Sequence, residues 1–190
     1  MTQPEEAGRL ALAAQSGDRQ AFEQLVRLHK DSLYRFVRRY VGNADDAYDV
    51  VQDAFVSAWL ALRKFDPAQS FAAWLYAIAL NKCRDRSRRN AVRQRFLALF
   101  GVGAPQHAVA SDEDSGQRLE QRLLCLDREI SNLPRQYKEP LLLALQSGLT
   151  QQEVARQLGT STKAIELRIR RARKRLAQAL GSEPTTDPEG

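Results

Sequence analysis

The stretch Gly148–Leu176, GLTQQEVARQLGTSTKAIELRIRRARKRL, reads as two short helices joined by a tight turn, the second carrying a dense row of arginines. Thr150 is placed to open the first helix: its hydroxyl can accept from the amide of Glu153 while the Glu153 carboxylate reaches back, a capping box. That helix is expected to run to about Leu158. Gly159 stands where a helix C-terminus needs a left-handed residue, and Thr160 and Ser161 offer oxygens to cap the helix that follows. In the second helix Ala164, Ile165, Leu167 or Ile169, Ala172, Leu176 and Leu180 recur at three- and four-residue steps and supply a buried stripe. The spacing is that of a helix-turn-helix.

The other face of the second helix is cationic. From Ser161 to Leu180 seven Lys or Arg stand against one acid, Glu166, a net charge of +6. The second helix of such a unit enters the major groove, its N-terminal residues meeting base edges and the rest held by phosphates. Ser161, Thr162, Lys163, Glu166 and Arg168 are therefore expected to read sequence, and Arg170, Arg171, Arg173 and Lys174 to grip backbone. A second segment, Lys82–Arg95, holds seven Lys or Arg and only Asp85 as an acid, again +6. With 29 basic and 23 acidic residues in all, the rest of the chain carries 15 basic and 21 acidic side chains. Positive charge confined to two segments is the footprint of a polyanion partner.

A length of 190 residues fits one small domain or two very small ones. From Gly101 to Gln117 the chain reads GVGAPQHAVASDEDSGQ, with no periodic apolar pattern, which predicts a flexible connector. The expected division is 1–100, a connector at 101–117, a second domain at 118–181, and a disordered tail at 182–190, SEPTTDPEG. Fully extended, the connector spans at most roughly 60 Å, so both basic segments can reach one duplex.

The N-terminus MTQPEEAGR is polar and every apolar run falls far short of the roughly 20 residues a spanning helix needs, which predicts a cytoplasmic protein with no membrane insertion. Cys83 and Cys125 are isolated and read as reduced thiols; with His29 and His107 equally scattered, no zinc-ligand spacing exists and no cofactor is implied.

Caps and breakers divide the first 100 residues into helices. One covers about Glu5–Gln15 and stops at Ser16 and Gly17. Asp18 caps a long one with Phe22, Leu25, Val26, Leu33, Phe36, Val37 and Tyr40 on its apolar face, ended by Gly42. Ala44–Phe65 follows, with Val50, Val51, Ala54, Phe55, Ala58, Trp59 and Leu62 as its stripe, then Phe71 to about Arg95. This last helix is apolar in its first half and cationic in its second, so it must leave the core and present itself to something outside. Asp45, Asp46, Asp49, Gln52 and Asp53 share a face suited to a basic partner or to solvent. The loop FDPAQSF at Phe65–Phe71, with Trp74 and Tyr76 after it, offers aromatics that either hold unstacked bases or belong to the core. The run FLALF at Phe96–Phe100 either continues the fourth helix or docks on an inhibitor or on the second domain.

YDVVQDAFVSAW at Tyr48–Trp59, followed by FDPAQSFAAWLYAIALNKCRDRSRR at Phe65–Arg89, resembles region 2 of a bacterial RNA polymerase sigma factor. LPRQYKEPLLLALQSGLTQQEVARQLGTSTKAIELRIRRARKRL at Leu133–Leu176 resembles region 4, and the short connector is similar to the small extracytoplasmic-function type of the sigma-70 family. The resemblance implies an all-α chain of two small helical domains, a four-helix region 2 and a helix-turn-helix region 4. It implies a transcription initiation factor without enzymatic activity that binds core RNA polymerase, through the clamp helices of the largest subunit and the flap, and promoter DNA.

By the same resemblance Asp49, Gln52, Asp53 and Phe55 dock the clamp helices. Ser70, Phe71 and Trp74, with Asn81, Lys82, Arg84, Asp85, Arg88 and Arg89, read the melting element near ten bases before the start, where a flipped base is captured. The helix from Ser161 reads the element near thirty-five bases before the start. Lys163, Ala164 and Glu166 depart from the residues many members carry, so the promoter sequence should differ; Glu166 either accepts from a cytosine amino group or pairs with Arg170. A cognate anti-sigma factor is implied as a partner. The alternative is a conventional helix-turn-helix regulator that binds DNA alone, yet residues 1–100 show no ligand-pocket or phosphoacceptor pattern.

Overall fold

In a computed structural model, which describes residues 3–99, 115–146 and 149–181, eight α-helices account for nearly all of the chain and no strand is present among the described residues. Helix α1 (Gln3–Gln15) ends at Gly17, whose φ of +105° turns the chain, and the Asp18 side chain accepts from the Ala21 amide at 3.1 Å to start α2 (Arg19–Val41). Gly42, at φ +87°, ends α2, and Asn43 accepts from the Asp46 amide at 2.8 Å to start α3 (Ala44–Ala61). The third helix does not run to Phe65 as its pattern suggests. It tightens into a 3-10 turn at Leu62–Lys64 because Phe65 swings inward, and the Gln15 amide satisfies the freed carbonyls of Leu62 and Phe65 at 3.2 and 2.8 Å.

Helix α4 (Phe71–Leu99) starts where the Ser70 hydroxyl accepts from the Ala73 amide at 3.3 Å, and it is longer than expected, carrying on through the start of the FLALF run. Helix α5 (Ser115–Asn132) corrects the connector at one end: residues 115–117 are helical, whereas 100–114 lie outside the described residues, as do residues 182–190 of the tail. Then come α6 (Arg135–Ala144), α7 (Gln151–Gln157) and α8 (Thr162–Ala179).

Helices α1–α4 form a bundle around Leu25, Leu33, Phe36, Leu75 and Tyr76; α6–α8 close over Leu142, Leu143, Val154, Ile165 and Ala172. The two groups are not independent in this structure. The C-terminal half of α2 packs against α5 and α6, the first half of α4 meets α7, and the buried residues of both halves form one continuous core.

Candidate functional site

The helix-turn-helix forms as its sequence dictates. Glu153 returns a carboxylate oxygen to the Thr150 amide at 2.7 Å while Thr150 Oγ1 accepts from the Glu153 amide at 3.2 Å. Gly159 adopts φ +61° and Ser161 Oγ accepts from the Ala164 amide at 3.2 Å. Each bond satisfies an amide that the start of a helix leaves without an intrahelical partner. Ile165, Ile169, Ala172 and Leu176 are buried, so Ile169 fills the inward position that Leu167 also fitted by spacing, and Leu167 is exposed.

The outer face of α8 therefore presents Lys163, Leu167, Arg170, Arg171 and Lys174, with Glu166 and Arg173 exposed beside them. Ser161 is exposed at the N-cap, and Thr162 and Arg168 are half-buried. Arg175 is drawn off this row and lies 4.8 Å over the Tyr137 ring. Glu166 and Arg170 form no ion pair among the described residues, which leaves the Glu166 carboxylate to whatever enters the groove.

The aromatic loop divides differently from its resemblance-based assignment. Phe71 is 2% exposed, packed at 5.7 Å from the Phe65 ring and at 5.5 Å from His29, so it is core and cannot stack on a base. Trp74 is half-buried, 5.1 Å from Phe65, and keeps an edge toward solvent. Ahead of it Asp66 Oδ1 accepts from the Ala68 amide at 3.0 Å and holds the turn that delivers Ser70.

On the second half of α4 the cations are partly committed within the chain. Arg86 bridges Asp46 at 3.2 Å and Asp49 at 2.7 Å, Arg88 pairs with Asp85, and Arg84 donates to Asn81 Oδ1 at 3.2 Å while gripping Glu139. Asn81, Arg88, Arg89 and Arg95 are exposed and Lys82 and Asp85 half-buried. Cys83 faces inward and burial pushes its thiol pKa up, which fits an inert structural cysteine; Cys125 is exposed, and both are free thiols.

Helix α3 carries the acidic face. Asp45, Asp49, Gln52 and Asp53 are exposed. Asp46 is half-buried: burial would raise its pKa, but hydrogen bonds from Asn43 and Asn90 and the nearby Arg86 and Arg93 outweigh that and hold it below the ordinary carboxylate value. Phe55 is buried at 9% exposure and supports this face from beneath instead of standing on it. In its place the face continues through Val56 and Leu60, 58% and 77% exposed, with Trp59 stacked 4.9 Å from Phe22 at its edge. The helical pattern had placed Trp59 in the stripe and had not singled out Val56 or Leu60; their three- and four-residue spacing from Gln52, Asp53 and Val56 itself was the available signal.

Charged residues also meet between the two halves, where no apolar pattern points. Glu139 on α6 is 4% exposed and accepts from Tyr40 at 3.0 Å, from Arg84 at 2.9 and 2.7 Å, and from Arg135. Burial would raise its pKa, but the Arg84 guanidinium and the Tyr40 and Arg135 donors outweigh it and hold the carboxylate ionised. Lys138 lies 4.8 Å over the Tyr40 ring and donates to the Tyr40 carbonyl at 3.3 Å. A lone Lys–Glu pair inside the apolar run YKEPLLLAL was the sequence's hint of this buried network.

Comparison with known proteins accounts for both halves at once. Residues 25–93 match the family described as Sigma-70 region 2, and residues 123–176 match Sigma-70, region 4. The chain is 41% identical to RNA polymerase sigma factor CnrH of Cupriavidus metallidurans over 95% of this chain and 97% of that one. It is 32% identical to ECF RNA polymerase sigma factor SigM of Mycobacterium tuberculosis over 90% of this chain and 83% of that one. The solved structure of CnrH in complex with the cytosolic domain of CnrY superposes with a TM-score of 0.69 at 35% identity, covering 93% of this chain and 97% of that one. With a region 2 that carries the acidic helix and the cationic helix, and a region 4 that carries the helix-turn-helix, the chain belongs to the RNA polymerase sigma factors, among the ECF members of the sigma-70 family.

Proposed function

We propose that this chain initiates transcription by docking core RNA polymerase through α3 and reading two promoter elements, one through the Asp66–Ser70 loop and α4, the other through α8. The observation that carries this division of labour is that two helices, each buried on one side, turn cationic faces outward in the two family-matched regions. On α3, Asp49, Gln52 and Asp53 supply charge for a basic partner while Val56 and Leu60 supply the apolar contact that gives affinity.

On the upstream side, Lys163 and Glu166 reach base edges at the start of α8, Leu167 offers an apolar contact to a thymine methyl, and Arg170, Arg171 and Lys174 hold phosphates. On the downstream side, Ser70 and the exposed edge of Trp74 receive a base that has left the stack, with Asn81, Lys82, Arg88 and Arg89 along the flanking strand. Unstacking a base costs a few kcal/mol, returned only where the pocket accepts the correct one, so melting and recognition share one interaction.

No bond is made or broken in this work, and the chain acts without enzymatic chemistry, in the cytoplasm. An anti-sigma factor that covers the α3 face or α8 would silence it, in line with the CnrY complex of the related CnrH. The test is RNA synthesis by purified core polymerase on genomic promoter DNA, with start-site mapping. Discrete starts sharing two upstream elements, lost on reversing Asp49 and Asp53 to Lys, support the reading. Tight site-specific binding by the chain alone, with no stimulation of polymerase, would favour the conventional regulator.

A further inference from the structure

The face of α4 that carries Ala73, Tyr76 and Arg84, all on one side of the helix, is covered by the second half of the chain. Gln157 of α7 donates to the Ala73 carbonyl at 2.5 Å, the Tyr76 hydroxyl donates to Gln146 at 2.9 Å, and Arg84 enters a two-point ion pair with Glu139. The Arg84 guanidinium extends this to Asn81, so two of the residues assigned above to promoter contact are tied to one carboxylate. An arginine fork meets a carboxylate and a phosphate in the same bidentate geometry, and one guanidinium fork cannot hold both at once.

The closed arrangement also fails on distance. Helix α8 begins at Thr162, five residues past the Gln157 that touches α4, so even its far end lies within about 45 Å of α4 along the chain. Elements near ten and thirty-five bases before a start are separated by about 85 Å of duplex. The halves must part for both readers to engage.

We propose that Glu139 is an intramolecular clasp: it occupies Arg84 in place of promoter phosphate and holds the free chain closed, so that promoter binding requires the Arg84–Glu139 contact to open. This rests on the assignment of α4 as a promoter reader. The supporting contacts across the same interface are Arg39 to Asp127 at 2.9 Å, Tyr40 to Glu139 at 3.0 Å and Lys138 to the Tyr40 carbonyl at 3.3 Å, all polar and all able to exchange for water as the halves separate.

Two variants of the full chain test it. Glu139→Gln keeps shape and removes the charge; a larger radius of gyration in solution scattering and a roughly tenfold tighter binding of a promoter duplex by the free chain at fixed salt are expected. A lock is available at Gly42, where an added Cβ would stand 3.2 Å from the Ser131 Cβ, close to the about 3.5–4.5 Å of a disulfide. Gly42→Cys with Ser131→Cys, in a Cys125→Ser background and with each single variant as control for strain at Gly42, is expected to lose at least tenfold in start-specific transcription when oxidised and to regain it on reduction. An oxidised chain as active as the reduced one, or a Glu139→Gln chain unchanged in size and DNA affinity, overturns the clasp. Should the wild-type chain itself fail to stimulate core polymerase, the promoter reading falls, while the scattering comparison and the cross-linking yield still decide whether the closed state exists.

Discussion

His29 sits on α2 with its Nε2 buried and unpartnered and its ring 5.5 Å from Phe71, the first residue of α4. Burial lowers its pKa from 6.5 to about 4. The folded chain therefore binds fewer protons than the unfolded chain between those values, and stability falls as pH drops through that window. At pH 7 both states hold His29 nearly neutral. At pH 5 the unfolded chain is almost fully protonated there and the folded chain scarcely at all, a loss of about 2 kcal/mol relative to pH 7, or about 4–8 °C in melting temperature for a chain of this size.

Few other groups interfere in that range. The lowered carboxylates of Asp46 and Glu139 contribute stability above their unfolded values that is lost only as pH falls through their folded ones, below pH 5, and the raised Tyr40, Tyr76 and Cys83 titrate on the alkaline side. Urea unfolding of the wild type and of His29→Leu at pH 7, 6 and 5 reads the effect directly. The wild type should lose about 2 kcal/mol that the variant keeps. Parallel pH profiles for the two chains would mean that His29 is hydrated or partnered in solution, and the reasoning from its burial would be wrong.

Thr150→Ala removes both halves of the capping box and should cost about 1 kcal/mol, with weaker binding of the upstream element and no change in polymerase affinity. Gly159 and Gly42 both adopt positive φ, but an added Cβ meets nothing within 4 Å at Gly159 and meets Ser131 at 3.2 Å at Gly42. Gly159→Ala should therefore cost about 1 kcal/mol of backbone strain alone, and Gly42→Ala should cost more and expand the molecule in solution scattering. Leu60→Asp, at a fully solvated position, should leave the melting temperature unchanged while core polymerase binding falls at least tenfold, as measured by competition in run-off transcription. Lys174→Ala should weaken DNA binding uniformly across sequences and lower the salt dependence by about one unit of slope, as loss of one phosphate contact requires.

Local chemistry made the helices legible. Asp18, Asn43, Thr150 and Ser161 cap as side chains that accept from amides two or three residues on, and Gly42 and Gly159 stop helices because only the left-handed region continues the chain there. Exposure within a stripe was less legible, because periodicity gives a direction and not a depth. Phe55 and Phe71 carry the right spacing for an outward role yet point into the bundle, and Val56 and Leu60 are apolar yet face solvent, a pattern that makes sense only with a partner in place. The contact between the halves was not legible at all. It depends on side chains far apart in sequence, Tyr40 with Glu139, Arg84 with Glu139 and Gln157 with Ala73, and on an interface too polar to leave a periodic mark.

That polarity bears on how the closed state works. A buried ion pair replaced by well-packed apolar residues often gains stability, so Arg84 and Glu139 are a poor choice for permanence. They suit reversal. When an apolar interface opens it exposes hydrocarbon to water, whereas each group of this one finds an equivalent partner outside: Arg84 a DNA phosphate, Asp127 and Glu139 water and counter-ions, Arg39 the same. The energy that separates the halves then need be only the difference between two sets of hydrogen bonds, small enough for docking on polymerase to supply. The apparent affinity of the free chain for DNA is its open-state affinity scaled by the open fraction, so a clasp that keeps the chain 99% closed weakens binding about a hundredfold without altering one base contact. A chain built this way stays off non-specific DNA while it is alone and releases its two cationic faces together when the α3 face is engaged.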